Sequence, residues 1–176
     1  MIRSYKSILS NYRKGDALTR DFTNMHVARI LIADDYDDNR ELLRLMLESA
    51  GYSVRETRDG RECVTAARAE LPDIVLIDLS MPVLDGWGTL GELRADEHTR
   101  ALPCIAVTAF AADQDRQRAL DAGFDAYLAK PYRSRELLDL VEDMLRRTSQ
   151  TPGGTAADAH AAANSTNDGQ LTHGQD

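Results

Sequence analysis

Residues 72–86 read Pro72-Asp73-Ile74-Val75-Leu76-Ile77-Asp78-Leu79-Ser80-Met81-Pro82-Val83-Leu84-Asp85-Gly86. An unbroken aliphatic run ends on an aspartate, and a loop holding a proline and closing on a glycine follows. Aliphatic residues without alternation mark a strand covered on both faces, which is the habit of parallel sheets. A carboxylate at the end of such a strand stands on the edge where open α/β sheets gather their functional groups.

The same texture repeats on either side. Ala28–Ala33, Tyr52–Thr57, Leu102–Thr108 and Asp125–Ala129 read as further strands. Helical patterns lie between them. Asp37 and Asp38 are expected to cap the first helix, with Leu42, Leu43, Met46 and Leu47 on one face and Gly51 as its stop. Asp59-Gly60 opens a second helix that runs to about Glu70, and a third follows the loop Leu79–Asp85 as far as Ala95. Ala112–Ala122 is the fourth, stopped by Gly123. Ser134 is expected to cap the fifth, which ends near Arg147 with Leu137, Leu138, Val141, Met144 and Leu145 inward. Strands alternating with helices in this way predict an α/β fold, a doubly wound, five-stranded parallel sheet covered on both faces.

A chain of 176 residues, 43% of them hydrophobic, is enough for one domain with a real core. Cys63 and Cys104 have no metal-ligand spacing and read as small apolar core residues in a reducing compartment. No apolar run approaches the ~18 residues of a membrane span. Arg3, Ser4 and Lys6 interrupt Met1–Ser10 too early for a secretory signal, so a cytoplasmic location is expected. Residues 1–25 carry a net charge of +3 and residues 149–176 a net charge of −3, which leaves the whole −8 on the body between them. An acidic body is a poor nonspecific partner for nucleic acid, so no direct DNA binding is expected.

The domain is expected over residues 26–148. The tail 149–176 has no apolar period and is expected to be disordered. Residues 1–25 form an N-terminal extension in which Ile2, Tyr5, Ile8, Leu9 and Tyr12 recur at helical spacing among Arg3, Lys6, Arg13 and Lys14. That pattern suits a basic amphipathic helix for a membrane surface or a partner. The plainer reading is a loosely ordered extension, or a start placed upstream of a true one at Met25.

Chemistry collects at the strand ends. Asp34 and Asp35 follow the first strand, Asp78 ends the third, Thr108 ends the fourth, and Lys130-Pro131 follow the fifth. Carboxylates brought together there repel, at ~4 Å and an effective dielectric of ~20 by on the order of 4 kcal/mol per pair. Lys130 supplies one compensating charge, and a hard divalent cation such as Mg²⁺ supplies the rest when phosphate is also a ligand. A cation, an ammonium, a hydroxyl and a carboxylate nucleophile together point to phosphoryl transfer onto an aspartate. Each feature alone has an ordinary explanation as a cap, a turn or a solvated loop. Their joint placement is what carries the reading.

The segments Ile30-Leu31-Ile32-Ala33-Asp34-Asp35, Ile77 to Gly86, Val107-Thr108-Ala109 and Tyr127-Leu128-Ala129-Lys130-Pro131 resemble the receiver domains of two-component response regulators. The likeness runs from about Met25 to Arg147. It implies a flavodoxin-like fold of strand order 2-1-3-4-5, in which Asp78 is the phosphoacceptor. It implies that Asp35, Asp78 and the backbone carbonyl of Ser80 bind Mg²⁺ (or Mn²⁺) directly, with Asp34 acting through water. Lys130 then pairs with phosphoryl oxygens, Thr108 moves toward the phosphoryl group, Tyr127 turns inward behind it, and Pro131 follows a cis peptide. Ser80 and Phe110 stand where the family varies, and would tune the lifetime of the phosphoaspartate.

The implied partners are a sensor histidine kinase or a histidine phosphotransfer protein, together with a downstream protein target. Receivers of this kind also form phosphorylation-dependent homodimers. The run Asp38-Asn39-Arg40-Glu41-Leu42-Leu43 resembles receivers of hybrid kinases and single-domain regulators. With no output domain after Arg147, a stand-alone regulator that signals through protein contacts is expected.

Three other functions compete with this reading. An aspartate-nucleophile phosphatase wants a second aspartate where Ser80 stands. A flavodoxin-like FMN carrier would have its phosphate repelled by Asp34, Asp35, Asp37 and Asp38. A receiver-fold scaffold that works without phosphorylation has no need of the full set of site residues. Trp87 is expected to pack beside the site, His98 to be an exposed loop residue, and Arg116 and Arg118 to lie on a solvated helix face.

Overall fold

Strands β1 (Arg29–Ala33), β2 (Ser53–Thr57), β3 (Ile74–Asp78), β4 (Cys104–Thr108) and β5 (Ala126–Ala129) pair in parallel in the order β2-β1-β3-β4-β5. Five helices connect and follow them: α1 (Asp37–Ser49), α2 (Gly60–Ala69), α3 (Gly86–Ala95), α4 (Asp113–Asp121) and α5 (Ser134–Gln150). The structure is a computed structural model. It describes residues 27–109 and 112–150, without the side chains of Asp113, Ser149 and Gln150. The whole N-terminal extension 1–25, the tail from 151 and Phe110 lie outside the described residues.

Strand periodicity sorts the core into two layers, because successive side chains point to opposite faces. Leu31, Ala33, Val75, Ile77, Cys104 and Ala106 face one way and pack with Cys63, Val64 and Ala67 of α2, Leu90 and Leu93 of α3, and Ala119 of α4. Ile30, Ile32, Ile74, Leu76, Ile105, Val107 and Leu128 face the other way and pack with Leu43 and Leu47 of α1 and Leu137, Val141 and Met144 of α5. All five residues of β3 are buried. Each large aliphatic side chain buried there contributes about 1.5–3 kcal/mol. Cys63 and Cys104 are buried free thiols, both pushed up to about 12 by desolvation.

The helix ends depart from expectation in three places. Asp37 and Asp38 lie in the first turn of α1 rather than capping it; the N-cap is Tyr36, with no side-chain cap bond, and the acids meet the positive end of the helix dipole instead. Ser134 is the first residue of α5, and the Arg133 amide donates to Glu136 Oε2 at 3.1 Å. That helix also runs three residues past Arg147. Leu42 is half exposed where the 3.6-residue pattern placed it inward; α1 buries Arg40, Leu43 and Leu47. The expected ends at Asp59 and Gly123 match: Asp59 accepts from the Glu62 amide, and Gly123 has φ +104°.

Val83, in the loop between β3 and α3, is 81% exposed with φ +67°. A β-branched residue in the left-handed region costs about 1–2 kcal/mol, and nothing packs on this side chain to offset it. Asparagine tolerates that backbone. Val83→Asn is therefore expected to raise the urea midpoint, for a gain of about 1 kcal/mol. An unchanged or lower midpoint would mean that the loop carries no such strain.

Candidate functional site

The strand order reverses between β1 and β3, because the chain leaves β1 outward to β2 and then crosses back to β3. A crevice opens beyond the C-terminal ends of strands at such a point. Asp34 follows β1 directly and Asp78 is the last residue of β3, so both stand at this crevice. They are almost completely buried, 1% and 7% exposed. Asp35, half-buried, completes a group in which one carboxylate oxygen from each aspartate lies within 4.8 Å of the other two.

Lys130, just past β5, reaches across to both buried acids. Its Nζ donates to Asp34 Oδ2 at 2.6 Å and to Asp78 Oδ2 at 2.5 Å. The Lys130–Pro131 peptide is cis. The backbone completes the cradle: the Ser80 amide donates to Asp78 Oδ1 at 3.0 Å, and the Tyr36 amide donates to Asp34 Oδ1 at 2.9 Å. Thr108 is fully buried at the end of β4, and its carbonyl accepts from the Lys130 amide at 2.7 Å. Tyr127 is half-buried on β5 against the core layer beneath α2, α3 and α4.

The electrostatics follow from two carboxylates sharing one ammonium. Burial holds the Asp78 carboxyl above its ordinary value, against the lowering pull of Lys130 and the Ser80 amide. Burial alone would depress Lys130, but hydrogen bonds to Asp34 and Asp78 carry it above its ordinary value. Tyr132 nearby is pushed up to about 12 by desolvation. Three carboxylates against one lysine leave two uncompensated negative charges when all are ionised. The donors are all hard oxygens, so the set fits one divalent cation of the Mg²⁺ type.

Residues 30–142 match the family model for the response regulator receiver domain. The chain belongs to that family. Among curated relatives, the polar-differentiation response regulator DivK of Brucella ovis is 34% identical over 116 residues, 66% of this receiver chain and 94% of DivK. The DNA-binding dual master transcriptional regulator RpaA of Synechocystis is 39% identical over 124 residues; the match covers 70% of this chain but only 52% of RpaA. Among solved structures, the receiver domain of a Pseudomonas aeruginosa sensor histidine kinase, with magnesium coordinated in its active-site cleft, is 37% identical with a TM-score of 0.64. That likeness covers 69% of this chain and 99% of the other.

Several residues around the receiver site were not singled out in the sequence, or were placed differently. Arg40, within the run Asp38–Leu43, is a buried arginine directly behind Asp34. Trp87, the second residue of α3, packs as expected: its ring meets Phe124 edge-on at 5.9 Å. Arg118 does more than face solvent, because its guanidinium sits 4.8 Å from the centre of the Trp87 ring. Arg116 and His98 are exposed. No helix among the described residues is long and apolar enough to cross a membrane.

Proposed function

We propose that this receiver accepts a phosphoryl group on Asp78 from a phosphohistidine donor and passes the signal on through protein contacts. The observation that carries the reading is the shared ammonium: two buried aspartates at the sheet's switch point grip one lysine, with a third carboxylate beside them. A carboxylate oxygen of Asp78 attacks phosphorus, the P–N bond of the donor histidine breaks, and its electron pair returns to the imidazole. Lys130 exchanges its bond to Asp78 for one to a phosphoryl oxygen. Asp35, Asp78 and the Ser80 carbonyl would hold Mg²⁺ directly and Asp34 would act through water; Mn²⁺ would suit the same oxygens. The cation would supply positive charge to the phosphoryl oxygens.

The added charge and acceptor oxygens beside Thr108 bias its hydroxyl toward the site. Tyr127 then follows into the space behind it, which changes the surface formed by α4 and β5. This is a two-state element moved by a local charge event. The donor is a sensor histidine kinase or a histidine phosphotransfer protein, the setting is cytoplasmic, and the recipient is a downstream protein or a second copy of the chain. The receiver occupies residues 26–148, with the N-terminal extension and the tail as flanking segments. The acidic body argues against direct contact with DNA.

Intact mass after incubation with a small-molecule phosphodonor tests the proposal. The expected result is one acid-stable, base-labile phosphoryl adduct that requires Mg²⁺ and disappears with a chelator. An adduct formed equally well without the cation, or no adduct from either small donors or a phosphorylated histidine protein, would overturn it.

A further inference from the structure

Arg40 is a charged residue where the first helix should be apolar. It lies one helical face-step from Leu43 and Leu47, and only 6% of it is exposed. A buried guanidinium is costly unless its donors are used. Two have close partners. Nη2 pairs with Asp37 Oδ1, and Nη1 donates to the carbonyl oxygen of Asp34 at 2.8 Å, while Nε lies 3.9 Å from Glu56 Oε1. The carbonyl contact is the informative one. It belongs to the peptide that joins Asp34 to Asp35, so its orientation decides where Asp35 points. The other side of Asp34 is held as well, since its amide donates to Thr57 O at 3.2 Å. Arg40 and β2 therefore grip the two ends of the residue from which Asp35 projects.

We propose that Arg40 is a positioning residue for the cation site: by holding the Asp34–Asp35 peptide it aims the Asp35 carboxylate at Asp78. The inference rests on the reading of the acidic cluster as a divalent-cation site. It makes a prediction opposite in sign to that of simple electrostatics. A guanidinium close to a cation site repels the cation, so if Arg40 acted only through its charge, removing it would tighten binding. If it positions Asp35, removing it weakens binding. Residues that orient ligands from behind are typically worth about tenfold or more in metal affinity.

The test is a titration of the full chain with Mn²⁺ alone, reading free Mn²⁺ by electron paramagnetic resonance, with circular dichroism to confirm folding. Wild type, Arg40→Gln, Arg40→Lys and Asp35→Asn are compared. The expected result is a Kd raised about tenfold in Arg40→Gln. Arg40→Lys should weaken about threefold, because an ammonium keeps the charge but not the planar fork. Tighter binding by Arg40→Gln with wild-type affinity in Arg40→Lys assigns the residue to charge alone and overturns the proposal. Unchanged affinity in both, with lower melting temperatures, makes Arg40 a staple of the fold and also overturns it. If Arg40→Gln does not fold, Arg40→Lys decides between the same outcomes. Loss of binding in Asp35→Asn, with wild type binding, keeps the site reading separate from these results. A wild type that binds no Mn²⁺ overturns the site reading and this inference together.

Discussion

Asp78→Asn is expected to abolish the phosphoryl adduct, a fall of about three orders of magnitude or more in the rate of its formation. The amide keeps the size and shape of the side chain but takes away the proposed nucleophilic charge and one candidate cation ligand. Folding should survive. Desolvation already disfavours the ionised Asp78, and in the variant Lys130 keeps its bond to Asp34. The measurement is intact mass under phosphodonor and Mg²⁺, beside a urea unfolding curve. A variant that unfolds near the wild-type midpoint and yields no adduct places the chemistry on Asp78. A base-labile adduct that persists at a comparable rate would move it to another carboxylate, with Asp35 the first to examine.

Gly86→Ala is expected to cost about 3 kcal/mol and to slow phosphorylation with it. A Cβ at Gly86 would stand 2.4 Å from the carbonyl oxygen of Asp78 and 2.7 Å from the Cα of Leu79. Both are backbone atoms that no rotamer change can move aside. The helix start and the end of β3 would have to separate, and the Gly86 amide would lose its 3.2 Å bond to Leu79 O. Gly91→Ala is the matching control. It lies in the same helix with nothing within 4 Å of its added Cβ, so it should gain up to about 1 kcal/mol from helix propensity. Equal urea midpoints for the two variants would show that the close approach at Gly86 is not needed.

Much of this arrangement could be read in the chain before any coordinates. The run Ile74–Ile77 has no polar break, so it could only be a strand covered on both faces. Its parallel neighbours then had to bring Asp34, Asp78, Thr108 and Lys130 to one edge. What stayed hidden has physical reasons. Counting apolar residues on α1 put Leu42 inward, because hydrophobic periodicity gives no weight to a backbone carbonyl in need of a donor. Arg40 stands three before Leu43 and seven before Leu47, and that spacing was the available signal. The left-handed backbone of Val83 runs against the preference of a β-branched residue, so propensity pointed the wrong way. The Arg118 stack joins two helices whose relative placement only the fold supplies.

Trp87 has a consequence for how the molecule can be watched. It is the only tryptophan in the chain. One residue before it, Gly86 lies close against the carbonyl of Asp78, while the Trp87 ring carries a guanidinium from α4 and the edge of Phe124. Helix α4 has Ala119 as its one fully buried side chain among those described, so it is lightly moored, and this stack is one of its few ties to the body. A single native chromophore thus bridges the acidic crevice and the helix with the fewest buried side chains among those described. Its emission is expected to report any movement of one against the other, with no label needed.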